Sequence, residues 1–308
     1  MNTWRTISKL LFLILMVQGI PVVWAQIEPA YSSYQLAPVI LNPAYTGSEE
    51  VLSVAAIDRR QWTLLDGAPT SQVVAAHSPL KKNNQAVGVL MQRDKIGVTV
   101  RSAFSGIYSY RLRINEQQRI SFAMQGGFSN LVSRLSELDT RLPDDPAMRN
   151  DRVELFTPLL GAGILWNSQR QFAGISVPDF FEPNLRAARF STINYRNYFL
   201  QYGVMVNAGR QIRWVPSVLL KYNKGTQLLA DFNSMIVMKE TLWLSCSYRH
   251  SVSWNFLMQA QITNQLTIGY SYEYPIGIYS AWGGGSHEFK VGYRFELFKS
   301  NYYMPRYF

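Results

Sequence analysis

The three histidines, His77, His250 and His287, are the first residues to weigh for chemistry. A nucleophile–base couple needs a hydroxyl and an imidazole on one side of the backbone, within hydrogen-bond reach. Ser78 adjoins His77 and Ser286 adjoins His287, but neighbouring residues of a strand point to opposite faces, so neither pair forms that couple. No third, orienting group stands at a recognisable spacing. His287-Glu288 lacks the spaced same-face partners that zinc demands. Segment 132–157 mixes Glu137, Asp139, Asp144, Asp145, Asp151 and Glu154 with Arg134, Arg141, Arg149 and Arg152. Calcium needs clustered oxygen ligands at a defined spacing, and a solvated mixed-charge loop explains this segment better. Gly161-Ala162-Gly163 and Gly283-Gly284-Gly285 are not followed by a helix, so neither reads as a phosphate cradle. The single cysteine, Cys246, has no partner for an intramolecular disulfide and reads as an apolar filler beside Leu242, Leu244 and Tyr248. The chain is therefore expected to carry no catalytic residue, no cofactor and no metal.

The elements around these residues explain their types better than chemistry does. Arg5 and Lys9 precede the apolar run Leu10–Val17, and Gly19, Pro21 and Val23-Trp24-Ala25 follow. That order predicts a secretory signal peptide over 1–25, cleaved before Gln26. Gln26 is not cysteine, which argues against a lipoprotein anchor. No later stretch holds 18 consecutive apolar residues, as a spanning helix would require. Yet 47% of the chain is hydrophobic, 14% aromatic and only 16% charged, below the roughly 25% charged of soluble domains. Apolar content without apolar runs is the signature of a membrane barrel, whose strands alternate between lipid and lumen. Removing the leader's two basic residues leaves a net charge of about +8, with no Lys/Arg run longer than two. That pattern excludes nucleic acid as the natural partner and points to a basic lumen or rim near anionic headgroups.

The period is two almost throughout. Phe289, Val291, Tyr293, Phe295 and Leu297 alternate with Glu288, Lys290, Gly292, Arg294 and Glu296, one greasy face and one wet face. Tyr108, Tyr110 and Leu112 oppose Ser109, Arg111 and Arg113; Phe122 and Met124 oppose Ser121 and Gln125; Trp254, Phe256 and Met258 oppose Ser253, Asn255 and Gln259. Fourteen such segments lie near 51–58, 70–78, 85–92, 99–113, 119–131, 158–167, 171–177, 195–207, 212–222, 226–238, 241–249, 252–262, 265–274 and 286–298. Their connections sort by parity. One set is short (79–84, 115–118, 168–170, 208–211, 239–240, 263–264), and the other contains all the long ones (59–69, 132–157, 178–194, 275–285). Outer-membrane barrels separate short periplasmic turns from long external loops in this way. The expectation is an all-β, single antiparallel transmembrane barrel over 51–298 in the bacterial outer membrane, with a periplasmic tail over 299–308 and both termini in the periplasm.

Between leader and barrel, residues 26–50 hold Pro29, Pro38 and Pro43, which cannot donate to a sheet ladder. They also hold too many apolar side chains for a solvated tail. A periplasmic or lumenal segment fits both facts. Tyr34, Asn42-Pro43-Ala44-Tyr45-Thr46-Gly47, Arg60-Gln61-Trp62 and Asp66-Gly67-Ala68-Pro69 occur here in order. His77-Ser78-Pro79-Leu80, Asp94-Lys95-Ile96-Gly97, Val177-Pro178, Pro216–Tyr222 and Gly285-Ser286-His287-Glu288 follow. The ordered set covers the chain after the leader and resembles the PorP/SprF family, departing from it at Ile27–Tyr31, where a Gln- and Phe-rich entry is the family's habit. The resemblance implies a non-enzymatic outer-membrane component of type IX secretion and gliding machinery. Its partners would be the lipid bilayer, secretion-machinery components, and secreted cargo carrying a C-terminal sorting domain. Tyr34, Asn42, Pro43, Tyr45 and Gly47 are the candidate partner-docking residues, with a structured lead-in to the first strand as the plainer reading. A passive porin or hydrophobic-ligand transporter is the first alternative, and an outer-membrane hydrolase with dispersed catalytic residues the second.

Overall fold

The computed structural model describes residues 31–80, 84–134, 152–181, 196–223 and 228–295. The leader, the tail over 299–308 and most of the longest loops lie outside these residues. The strands are β1 (Leu52–Arg60), β2 (Thr70–Pro79), β3 (Gln85–Ile96), β4 (Thr99–Arg113), β5 (Gln118–Arg134), β6 (Arg152–Ser168) and β7 (Gln171–Val177). After them come β8 (Asn197–Val204, continued by Val206–Asn207), β9 (Ile212–Asn223), β10 (Leu229–Met238), β11 (Leu242–Arg249), β12 (Ser253–Gln261), β13 (Leu266–Pro275) and β14 (Ser286–Phe295). Each pairs antiparallel with its sequence neighbours, and β1 pairs with β14 from Leu52↔Phe295 to Arg60↔His287. The sheet is thus a closed fourteen-stranded barrel in which every strand has a partner on both sides.

The interruption of β8 at Met205 has a local cause. Its partner β9 carries Pro216, which has no N–H to give to the ladder. The register passes through unchanged, with Ser217↔Gly203 on one side and Trp214↔Val206 on the other. One strand crosses, with a missing rung.

β5 and β6 are longer than the 119–131 and 158–167 read from the sequence, because they stay paired out to Arg134↔Arg152. Pro158 marks no boundary. β7 joins β6 only from Ala162 onward, which leaves one edge of β6 without a partner strand around Pro158, the setting in which a strand tolerates proline. Glu154 and Arg152 therefore sit on β6, 3.0 Å apart, and Glu154 accepts from Asn130 at 2.8 Å. The other acids of that loop lie outside the described residues.

The two ends of the barrel differ. At the turn end, Ala208–Gln211 and Lys239–Thr241 are typical of the brief connections. The opposite, loop end carries 61–69, the long connections after β5 and β7, and a 3-10 turn over Gly277–Trp282. It also carries tight turns at Gly97-Val98 and 250–252, so length sorts the ends without being uniform on either. Both β1 and β14 meet the turn end at Leu52 and Phe295.

The outer wall exposes Phe122, Met124, Phe128, Leu200, Phe256, Met258, Ile268, Phe289 and Val291, with Phe128 ring centroids 5.9 Å from Phe104 and 5.5 Å from Phe156. A belt of that size would aggregate in water and is at home in hydrocarbon. Cys246 belongs to this face. Ser121, Gln125, Ser253, Asn255 and Glu288 face inward, as their alternation requires.

Candidate functional site

The inner wall is not wet. Every strand holds inward side chains almost wholly withdrawn from water, from Arg59 on β1 through Gln125 on β5 and Gln201 on β8 to Glu288 on β14. What covers them is the segment before β1. Residues 31–50 fold as three short 3-10 turns, Ser32–Gln35, Pro38–Ile40 and Pro43–Tyr45, inside the barrel. Pro38 and Pro43 open the second and third turns, where a missing N–H costs nothing. Asn42 caps the third, its Oδ1 accepting from Ala44 N at 2.9 Å. Tyr31, Ala37, Val39, Ile40, Ala44 and Tyr45 share one apolar cluster with Ile57, Leu90, Ile107, Leu165, Val237 and Trp243 of the wall. The segment is a plug, tethered to the barrel through β1.

All five candidate residues lie in it, and all are buried: Tyr34 at 6%, Asn42 at 1% and Tyr45 at 2% exposure, with Pro43 and Gly47 equally enclosed. Asn42 Nδ2 donates to the Ile164 carbonyl at 3.2 Å. Gly163 and Gly174 make room for it, since a Cβ at Gly174 would stand 2.8 Å from Asn42 Nδ2 and one at Gly163 would collide with Asn42 Oδ1. Tyr45 Oη accepts from Gln201 at 2.8 Å, and Tyr34 Oη from Asn233 at 2.6 Å. Burial raises both phenols above their ordinary value, so they stay protonated. Gly47 has φ +79, its N–H meets His77 Nδ1 at 3.2 Å, and a side chain there would strike Ala86. A partner could touch these residues only by displacing the plug.

Two charged clusters hold its ends. Toward the loop end, Asp231, Arg249, Glu273, Arg59 and Glu288 form an unbroken chain of ion pairs across one side of the wall, contributed by strands β10, β11, β13, β1 and β14. Arg249 bonds Asp231 at 2.9 Å and Glu273 at 3.0 Å. Glu288 then accepts from Ser32 N at 2.6 Å and Ser33 N at 2.8 Å, so the plug's first turn satisfies the last carboxylate. At the turn end the signs reverse. Glu50 of the plug accepts from Arg111 at 2.9 Å and from Arg119, while Glu49 pairs with Arg294. Burial opposes the Glu49 charge, but Arg294 and His77 outweigh it and hold the carboxyl at about 2. The basic lumen expected from composition is therefore largely neutralised by these carboxylates.

His77 faces inward and Ser78 outward; Ser286 and Glu288 face inward, while His287 turns outward, where its Nδ1 lies 2.8 Å from Tyr270 Oη. Neither Ser–His pair comes together. The sequence did carry a signal for the plug that alternation alone obscures. Ile164-Leu165, Trp214-Val215, Ile236-Val237 and Trp243-Leu244 place two apolar residues side by side within strands. In each pair one side chain meets lipid and the other meets the plug or its apolar surround.

A closed barrel with an apolar outer belt and a polar, charge-paired inner wall defines an integral outer-membrane protein. The chain belongs to the PorP/SprF family of type IX secretion system membrane proteins, whose model matches residues 23–293. No curated protein matches it by sequence. Among solved structures it is similar to the Ralstonia pickettii toluene transporter TbuX, with 10% identity, 84% of this chain and 94% of that one covered, and a TM-score of 0.47. It is also similar to Acinetobacter baumannii Omp33, with 9% identity, 80% and 98% coverage, and a TM-score of 0.45.

Proposed function

We propose that this protein is a non-enzymatic type IX secretion component that assists export or surface attachment of cargo carrying a C-terminal sorting domain, working with other machinery proteins. Membership of the family supports the setting. The observation that carries the reading is the tethered plug, which leaves inward residues on every strand dry. A passive porin keeps a water-filled lumen instead. With its lumen occupied, the barrel acts as a scaffold whose loop-end and turn-end surfaces meet partners. The Asn42–Gly47 motif seats the plug in that scaffold rather than presenting itself for docking.

The test is co-purification from native membranes, comparing the wild type with a variant carrying Asn42→Ala, Tyr45→Ala and Gly47→Ala together. Cargo or machinery proteins recovered with the wild type support the reading, and their loss from the variant at equal barrel assembly would instead give the motif itself a docking role. A wild-type barrel that recovers no partner and conducts ions steadily in planar bilayers favours the porin alternative.

A further inference from the structure

Strand β14 works as a ruler for the plug. Arg294, beside the turn end, holds Glu49; Lys290, four residues higher, donates to the Leu36 carbonyl; Glu288, higher again, holds Ser32 and Ser33. From Arg294 to Glu288 the wall rises about 20 Å along the strand. The plug therefore ascends the lumen as it is followed backward from β1. Its upper end is confirmed on other strands. Ser32 Oγ donates to Asn255 at 2.7 Å, and Tyr31 Oη to Asp94 at 3.3 Å. Asn255 and Asp94 each lie two residues from the loop end of their strands.

We propose that the mature chain is threaded through its own barrel, so that its N-terminus leaves the lumen at the loop end, opposite to where β1 begins. Five residues precede Tyr31 if the leader is removed before Gln26, a cleavage on which the proposal rests. Extended, they span about 17 Å, against about 7 Å of strand left above Asn255. The N-terminus and the long loops then share one face, although the barrel's first and last strands both meet the other. This departs from the expectation that both termini are periplasmic. The plug lies along β14, the strand that seals the barrel against β1.

The test uses single cysteines in a Cys246→Ala background, labelled with an impermeant maleimide on intact cells and again after the outer membrane is opened. Glu28→Cys reports the N-terminus, Asp144→Cys the loop end and Asn115→Cys the turn end. Threading predicts that Glu28→Cys labels with the sidedness of Asp144→Cys, whichever face that proves to be. Labelling with the sidedness of Asn115→Cys overturns it, as does no labelling in either state. Intact-mass measurement of the purified protein shows separately whether the chain begins at Gln26; retention of the leader also overturns the proposal.

Discussion

The two faces of the wall are built by different rules. On the outside a side chain needs only to be apolar, because lipid accepts any shape, and Phe122, Leu200 and Val291 could exchange places with little consequence. On the inside each residue answers a particular partner: Glu288 meets two plug amides, Arg59 lies between two carboxylates, and Gly163 leaves space for Asn42. The outer face is specified by period, the inner face by contact. Substitutions should therefore fail by depth on the outside and by partner on the inside.

The largest effect should come from the buried ion chain. Arg249→Met leaves Asp231 and Glu273 without the cation between them, and removing one partner of a buried pair costs about 3–5 kcal/mol. Unfolding in urea, followed by heat-modifiability on gels, should show a lowered midpoint. An unchanged midpoint would mean that water reaches this level of the lumen.

On the outer face, Val291→Arg in mid-strand should cost ~2–4 kcal/mol, while Phe295→Arg at the turn-end rim should cost about 0–1 kcal/mol. Both residues face lipid, so only depth separates them. Equal penalties in the same urea assay would break the contrast and place the bilayer lower on the barrel.

The plug comes next. The combined Asn42→Ala, Tyr45→Ala and Gly47→Ala variant removes the third turn's cap, the Gln201 bond and the left-handed glycine at one stroke. The barrel strands keep all their ladder partners, so the heat-modifiable form should persist. Conductance in planar bilayers should rise severalfold as the plug loosens. Loss of the folded form would instead make the motif part of the assembly nucleus.

These contrasts also mark how much was legible in advance. Lipid keeps most of the outer face apolar, so the fourteen crossings could be read from the period of two. Strand ends were less legible, because pairing continues beyond the bilayer wherever two chains remain in register, as at Arg134↔Arg152. The plug was half legible. Prolines and apolar content kept residues 26–50 from being a strand or a tail, yet nothing local says that Ser33 will find Glu288 across 255 residues of chain. Such contacts are fixed only once the barrel closes.

The smallest effect belongs to Arg294→Gln, where the two faces meet at the rim. From the sequence alone this change looks harmless, since glutamine also tolerates a polar lumen. The barrel should indeed keep its urea midpoint, because Arg294 pairs with the plug and not with another strand. What changes is the response of the plug to acid. Glu49 is held at about 2 in the folded protein, below the roughly 4.3 of a free glutamate. A carboxylate depressed on folding contributes stability above its unfolded value and loses it as the pH falls toward the folded one. The wild-type plug should therefore stay seated at neutral pH and loosen only as the pH drops from about 4 toward 2. Without Arg294 the depression shrinks, and Glu49 contributes less seating at every pH. Single-channel conductance titrated from about pH 7 down to about pH 3 should then rise earlier and more in Arg294→Gln than in the wild type. Superimposable titrations would mean that Arg111 and Arg119 hold the turn end through Glu50 alone.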